Sequence, residues 1–501
     1  MTQSAARPVL AGLMIAFLAV DAVSAAQPPG APLLVETRQL RIGFDARHGD
    51  VTSWRACVPG CQTPTARMVD FIAPSGAGGE VGYLIPLQGE QRIVEAEADI
   101  RVEDTGGGRI VIVRTPVASG DAIVEQRWEI PEEGYRVTYR ATVTQGDPGR
   151  VGGLEFATGS AFRPAPMPGF SSAYAAVRPF ELLSGDYRAP DDKPVTAALA
   201  GSDWAGLRSR FWVLAAMPST PAEARLPGGD IVQVAVADGA PLDLSFYGGP
   251  VERAALAAGG NDLTRLLYAD LWSWLRALSQ ALRWLMDALY ALTGNAGFAI
   301  LLLSVVVKLL MSPLTTLAER WQADVNRTHA RLEPLLAEAK ADYRGEARHE
   351  RVLEAYKSLG VSPLYTMKSL AGYLIQIPVF IAAFTMLGEN FALAETPWLW
   401  IDDLSRPDAV ASLPFALPFF GGDLNLLPFI MTALTLIAAI LHGDPDLTPA
   451  LLASQRRRLY WLAALFFVLF YTFPAGMVLY WTMNNLLHLI VSHWPRGRAT
   501  A

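Results

Sequence analysis

Residues 459 to 493 contain no Asp, Glu, Lys or Arg over 35 consecutive positions. As a single helix this run would be about 50 Å long, too long for one ~30 Å hydrocarbon core and short for two full crossings. Phe473-Pro474-Ala475-Gly476 stands near its middle, where proline and glycine favour a turn. The run therefore predicts a hairpin of two short helices, which would thin the bilayer locally or need protein neighbours at their ends. Three further apolar runs, 296–311, 370–387 and 424–441, precede it. Together they predict five membrane-spanning helices.

Only 18% of the 501 residues are charged, against about 25% for a typical soluble protein. The deficit is confined to one half of the chain, because residues 27–262 have the composition of an ordinary mixed globular domain. A net charge of −7 argues against nucleic-acid binding by the chain, which needs a basic face to neutralise phosphates.

The N-terminus reads Arg7, an apolar stretch from Val9 to Val20, Asp21, and then the small residues Ala22 to Ala26. This pattern fits a signal peptide over 1–26 cleaved after Ala25 or Ala26, or alternatively an uncleaved signal anchor. Both place residue 30 outside the cytoplasm. Loop charges orient the remaining spans. The segment Glu319 to Lys357 carries eight Lys/Arg and is expected inside, whereas Glu389 to Asp423 carries only Arg406 against six acids and is expected outside. Arg456, Arg457 and Arg458 mark a second inner loop, and Arg496 and Arg498 leave the tail 494–501 in the cytoplasm.

In the exported part, 27–262, strand patterns dominate. Leu40, Ile42 and Phe44 alternate with other residues, as do Tyr135, Val137, Tyr139, Ala141 and Val143, and Ile231 to Val236 is a short β-branched run. The expected fold is a large antiparallel β-sandwich, of the super-sandwich kind. Cys57 and Cys61, the only cysteines, flank Val-Pro-Gly. In an exported domain they are disulfide candidates, and two thiolates are too few for a closed zinc site. Neither a metal, a cofactor nor a catalytic residue set is expected.

Residues 263–290 predict an amphipathic helix with Leu266, Leu267, Leu271, Leu275, Leu278, Leu282 and Leu285 on one side, accompanied by Trp272, Trp274 and Trp284. It is read as an interfacial helix on the outer leaflet, or alternatively as a packed linker. Residues 291–493 hold the five spans and, at 316–358, a cytoplasmic helical hairpin turning near Gly345.

Within the spans one charge stands apart. Lys308 is the only charged residue between Gly294 and Glu319. A lysine near mid-bilayer costs about 2.5–3.5 kcal/mol on insertion scales and usually faces a cavity or partner, yet no span contains an acid to pair with it. Ser304, Lys308, Ser312 and Thr315 fall on one helical face, and Trp481, Asn484, Asn485, His488 and Ser492 form a stripe on the last helix. Two polar stripes suggest a shared wet groove. For Ser304, Ser312 and Gln376, simple hydrogen bonding between helices is an equal alternative.

These residues bring the chain close to a known family. Phe473-Pro-Ala-Gly-Met-Val-Leu-Tyr-Trp481 followed by Asn484-Asn485, Gln376-Ile-Pro-Val-Phe380, Trp400-Ile-Asp-Asp-Leu-Ser405 and Met311-Ser-Pro-Leu314 resemble the YidC/Oxa/Alb membrane insertase family, in its Gram-negative form with a large periplasmic domain. Trp204, Arg210-Phe211, Pro218 and Gly249-Pro250 are weaker echoes in the exported half. The resemblance implies a multi-pass protein of the bacterial inner membrane with 27–262 in the periplasm. It implies insertion of membrane proteins without nucleotide hydrolysis, through a groove open to the cytoplasm and lipid and closed outside. The groove residues expected are Lys308, Ser304, Ser312, Thr315, Gln376, Tyr480, Trp481, Asn484 and Asn485; of these the resemblance singles out the charge at 308, lysine where the family pattern has arginine. The implied partners are nascent membrane proteins and the lipid bilayer, with the Sec translocon, the ribosome and a targeting receptor as further candidates. Two other classes fit the residues less well: a polytopic solute transporter, and a membrane-anchored periplasmic protein that binds or processes sugars.

Overall fold

The computed structural model describes residues 32–493, except 77, 89–90, 93–96, 117–121, 146–150, 191–193, 229, 238–239, 261, 363, 366 and 442–448. The expected signal segment 1–26 and tail 494–501 lie outside the described residues.

Strand formation follows the alternation in the sequence. Along Arg136–Gln145 the side chains of Val137, Tyr139 and Ala141 are fully buried while those between them turn outward, and Leu40–Phe44 and Ile231–Val236 behave alike. The strands up to Pro250 form three antiparallel sheets. One has nine strands in the order Asp186–Arg188, Arg178–Leu183, Trp204–Arg208, Trp212–Pro218, Leu242–Pro250, Arg136–Gln145, Ile123–Pro131, Gly108–Pro116 and Asp99–Thr105. A six-stranded sheet runs Val195–Leu199, Ala222–Leu226, Ile231–Val236, Gly153–Ala157, Tyr83–Gln88, Gln91–Arg92. The third joins the first four strands, Leu33–Glu36 to Arg67–Asp70.

Aromatic side chains lock the three together. Phe246 of the nine-stranded sheet lies 5.7 Å from Trp54 of the four-stranded sheet and 5.7 Å from Phe156 of the six-stranded one. Trp128 packs at 4.5 Å against Tyr139 and 6.0 Å from Phe44. All six rings are buried, so the core sits where the sheets meet. Cys57 and Cys61 form a disulfide at the end of Val51–Val58.

The expected helix over 263–290 starts later than its leucines suggest. After the short helix α1 (Arg253–Gly259), Leu263–Leu266 is a single 3-10 turn, and helix α2 covers Ser273–Thr293. Arg276 donates to the carbonyl oxygens of Ala269 and Leu271, holding the preceding segment out of the helix. Leu275, Leu282 and Met286 are buried, whereas Trp272, Trp274 and Trp284 are exposed. Gly294, at φ +63°, ends α2, and Asn295 caps the next helix through Phe298 N–H.

That next helix, α3, runs unbroken from Ala296 to Asp342, 47 residues through Pro313 and Pro334, about 70 Å. The first apolar run and the first arm of the expected hairpin are therefore one element. The turn falls at Tyr343 and Arg344, and α4 (Gly345–Ser358) returns, burying Ala355 near Ala339. Four more helices follow: α5 (Met367–Gly388), α6 (Leu427–Leu441), α7 (Pro449–Phe470) and α8 (Ala475–His493). The chain turns between α7 and α8 at the Phe473-Pro474 step. Arg456, Arg457 and Arg458 stand inside α7 rather than in a loop, because Pro449, suited to a first helical position, starts the helix two turns earlier. Among the described residues α3 alone is long and apolar enough to cross a membrane by length and hydropathy, with Gln376–Gly388 and Leu427–Leu441 as shorter apolar helices.

Candidate functional site

The helices meet through a few buried polar contacts. Ser304 on α3 is fully buried, and its hydroxyl donates to the carbonyl oxygens of Ile300, on its own helix, at 3.1 Å and Tyr480, on α8, at 3.2 Å. Asn485 Nδ2 on α8 donates to Thr435 Oγ1 on α6 at 2.9 Å, and Asn484 Nδ2 to the Tyr480 carbonyl at 3.1 Å. On the other flank Ser279 of α2 donates to the Ala382 carbonyl of α5. The Ser304, Asn485 and Ser279 bonds join neighbouring helices, whereas the Asn484 bond lies within α8.

The stripe on α3 changes character along its length. Ser304 is sealed, Lys308 one turn on is half-buried, and Ser312, a further turn on, is exposed. Among the described residues Lys308 makes no salt bridge, and the carboxylate that acts on it electrostatically is that of Glu319, about three turns on. Thr315 is half-buried, with its hydroxyl bonded back to the Ser312 carbonyl, and Gln376 on α5 is exposed. The polar face is thus closed toward the start of α3 and open toward the α3–α4 hairpin, with Lys308 at the transition.

Trp481 belongs to a different environment from the polar stripe in which its spacing placed it. It stacks on Phe470 at 5.7 Å and meets Phe380 at 5.0 Å and Phe466 at 5.7 Å, so its ring fastens α8 to α5 and α7. The buried Tyr480 likewise meets the bundle through Phe384. Of the nine expected groove residues, the structure brings Ser304 to Tyr480 and Asn484 to Tyr480, and ties Asn485 to α6. The Asn484–Tyr480 bond, like that of Thr315 to the Ser312 carbonyl, lies within one helix, and Ser312, Thr315 and Gln376 make no side-chain hydrogen bond to another helix among the described residues.

At the end of the bundle near α3's start, the β-sandwich clasps the helices. Arg210 follows the strand Trp204–Arg208 and is buried; its Nε donates to the Gly388 carbonyl at the C-terminus of α5, and its Nη1 to the Ser405 carbonyl, both at 2.6 Å. Its guanidinium lies 4.5 Å from the Tyr174 ring and 4.6 Å from the Phe211 ring. Burial pushes Arg210 down to about 10, still far above neutral, so the group stays charged. Arg208 pairs with Glu389 at 2.8 Å, Arg67 reaches the Phe391 carbonyl, and Ser171 donates to the Thr472 carbonyl between α7 and α8. Asp408, also buried, accepts from the N–H groups of Leu426 and Leu427 at the start of α6, where a carboxylate suits a helix N-terminus.

Sequence reasoning assigned this joint nothing beyond the motifs Arg210-Phe211 and Trp400–Ser405. The partners of Arg210 lie about 180 to 195 residues away; nothing local linked Ser405 to Arg210, and an acid placed ahead of an apolar helix, Asp408, was the other local signal.

Comparison with known proteins bears on the same region. Residues 288–500 match the family model described as 60Kd inner membrane protein. A protein named membrane protein insertase YidC from Janthinobacterium sp. (strain Marseille) is 32% identical over 266 residues, 52% of this chain and 44% of that protein. One of the same name from Laribacter hongkongensis is 34% identical over 259 residues, 50% of this chain and 41% of that protein. The matches thus span less than half the length of these relatives. A solved structure described as an active YidC insertase with its first transmembrane domain resolved is 17% identical, covers 93% of both chains and has a TM-score of 0.37.

Proposed function

We propose that this chain, whose residues 288–500 match the family model described as 60Kd inner membrane protein and which is similar to YidC insertases, is a member of the YidC/Oxa family that inserts and helps fold membrane proteins in a bacterial inner membrane. The observation that carries this reading is the gradient along α3, from sealed Ser304 through half-buried Lys308 to exposed Ser312. A polar face that ends blindly on one side suits a segment entering from the hairpin side and leaving sideways into lipid. It suits a through-going solute path poorly.

In this reading α3, α5, α6, α7 and α8 are the five spans, the α3–α4 hairpin and the C-terminus are cytoplasmic, and the sandwich is periplasmic. Lys308 attracts acidic residues in the short exported tail of a substrate. Water and polar side chains around it shorten the hydrocarbon path that the tail must cross, since a charge at the bilayer centre is costly. Partition of the substrate's apolar helix into lipid then drives release, so the step needs neither nucleotide nor covalent chemistry. Nascent membrane proteins and lipid are the partners this mechanism requires; the hairpin would receive substrates and targeting partners, with the Sec translocon and the ribosome as further candidates.

The test is complementation of insertase-depleted cells. Lys308→Arg should support insertion, whereas Lys308→Glu should impair substrates with acidic exported tails and spare those with neutral ones. Normal insertion of acidic-tailed substrates by the Glu variant would remove the charge role. Saturable solute flux in proteoliposomes, without crosslinks to nascent chains, would overturn the whole reading.

A further inference from the structure

Residues 409–422 read Ala-Val-Ala-Ser-Leu-Pro-Phe-Ala-Leu-Pro-Phe-Phe-Gly-Gly, fourteen positions without a charge. They were expected to be part of an outer loop, but Ala411–Leu417 pairs with Gly421–Leu424 as a β-hairpin. The hairpin is apolar and exposed: Phe415 is 60% accessible, Phe419 45% and Leu417 40%. An exposed, uncharged apolar protrusion of this kind marks a contact surface.

Its root fixes where that surface lies. Tyr471, just past the end of α7, donates its hydroxyl to the Asp423 carbonyl, and Asn425 Nδ2 donates to the Tyr471 carbonyl. A continuous series of rings leads from the hairpin onto the helices. Phe419 lies 5.4 Å from Phe420, Phe420 5.2 Å from Tyr471, and Tyr471 5.5 Å from Phe467 on α7. Phe429 on α6 joins at 4.9 Å from Phe467. Beyond these rings α6 and α7 present exposed Ile437, Ile440, Leu465 and Val468, so the hairpin continues the outward apolar wall of the helices at their outer ends.

The chemistry selects one occupant. Pro414 and Pro418 carry no N–H, which spoils the ladder that a peptide strand would need to add to this edge. The flanking carboxylates are engaged at the root, Asp408 at the start of α6 and Asp423 with Ser412, leaving the tip no charge with which to choose a protein partner. Lipid asks only for uncharged apolar surface, with aromatic rings at headgroup depth. We propose that the 411–424 hairpin is a lipid anchor, its tip from Leu413 to Phe420 resting in the headgroup–acyl boundary of the outer leaflet. The proposal rests on the reading that the helices span a membrane. Phe170 of the sandwich, 4.9 Å from Phe419, ties the anchored hairpin to the exported domain.

The test uses the full chain in phosphatidylethanolamine/phosphatidylglycerol nanodiscs. Cys57 and Cys61 are the only cysteines and are joined to each other, so one introduced cysteine carries a unique fluorescent label. Labels at Ala416→Cys, at Leu465→Cys on α7 and at Glu103→Cys on the far strand of the sandwich are compared for quenching by doxyl-labelled lipids. Ala416 should be quenched at least twofold more than Glu103, most strongly by a doxyl group near the headgroup, and Phe415→Ser with Leu417→Ser should reduce that quenching. If Leu465 is quenched and Ala416 behaves like Glu103, the anchor is overturned while the spanning helices stand. A blue-shifted but unquenched Ala416 label places the tip against protein and overturns it too. An unquenched Leu465 overturns the spanning reading and the anchor with it. Loss of insertase activity in cells leaves these readouts unmoved.

Discussion

Arg210 Nε donates to the carbonyl oxygen of Gly388 at 2.6 Å, so a turn of the β-sandwich holds the last residue of α5. The same guanidinium holds Ser405 and lies close to the rings of Tyr174 and Phe211. Through this contact a domain of sheets and a bundle of helices share one buried cation.

Arg210→Ala should cost about 3 kcal/mol or more, since two charge-assisted bonds are lost and two carbonyls are left without donors. Arg210→Lys should recover little, because one ammonium cannot reproduce the planar fork. Thermal unfolding of the purified protein, with limited proteolysis across the 388–406 segment, measures both. Wild-type stability and protection in the alanine variant would show that the joint is ornamental.

Ser304→Ala should lower stability by roughly 0.6–2 kcal/mol and leave the rate of insertion unchanged, because the hydroxyl is sealed between α3 and α8. Insertion assays run beside unfolding distinguish this from a groove role. A variant with wild-type stability and slow insertion would return Ser304 to the groove.

Gly297 lies in the first turn of α3, and a Cβ there would stand 2.2 Å from Trp398 Cγ. Gly297→Ala should therefore destabilise by about 1–3 kcal/mol through overpacking. Combining it with Trp398→Leu should cost less than the sum of the two single changes. Additive losses in a double-mutant cycle would mean that the two positions do not meet.

Asp70 supplies a pH dependence. Burial pushes its carboxyl up, but hydrogen bonds from the Ser53 hydroxyl and from the N–H groups of Trp54, Ala73 and Ile72 outweigh that and hold it below 3.8. A depressed carboxylate contributes stability that is fully present above the unfolded value and is lost as pH falls through the folded one. The melting temperature of the sandwich, followed by tryptophan fluorescence, should fall below about pH 4. In Asp70→Asn the protein should be less stable at pH 7 and its acid decline shallower. An unchanged acid limb in that variant would assign the decline to other carboxylates.

Much of the scaffold was legible because period and length carry it. Val137, Tyr139 and Ala141 point inward as their spacing says, and the uncharged run after Leu459 does fold as two helices broken near Pro474. Three features escaped for physical reasons. The apolar run ends at 311 and charges begin at Glu319, yet α3 continues through both, so one element looked like two. Pro414 and Pro418 obscure the alternation of a hairpin. Trp481 shares a helical spacing with Asn484 and Asn485, but a stripe on a helical wheel does not say which neighbour covers it, and rings from α5 and α7 do. The Arg210 joint was the least legible, since it is made with main-chain oxygens that any residue would supply.

The unbroken course of α3 has a mechanical consequence. From Lys308 to Asp342 the helix spans 35 residues, about 50 Å, with no loop to absorb motion. A force on the hairpin tip is therefore delivered to the lysine as leverage and torque. Pro313 and Pro334, each lacking a backbone N–H, lie along that lever and soften it locally without interrupting the helix.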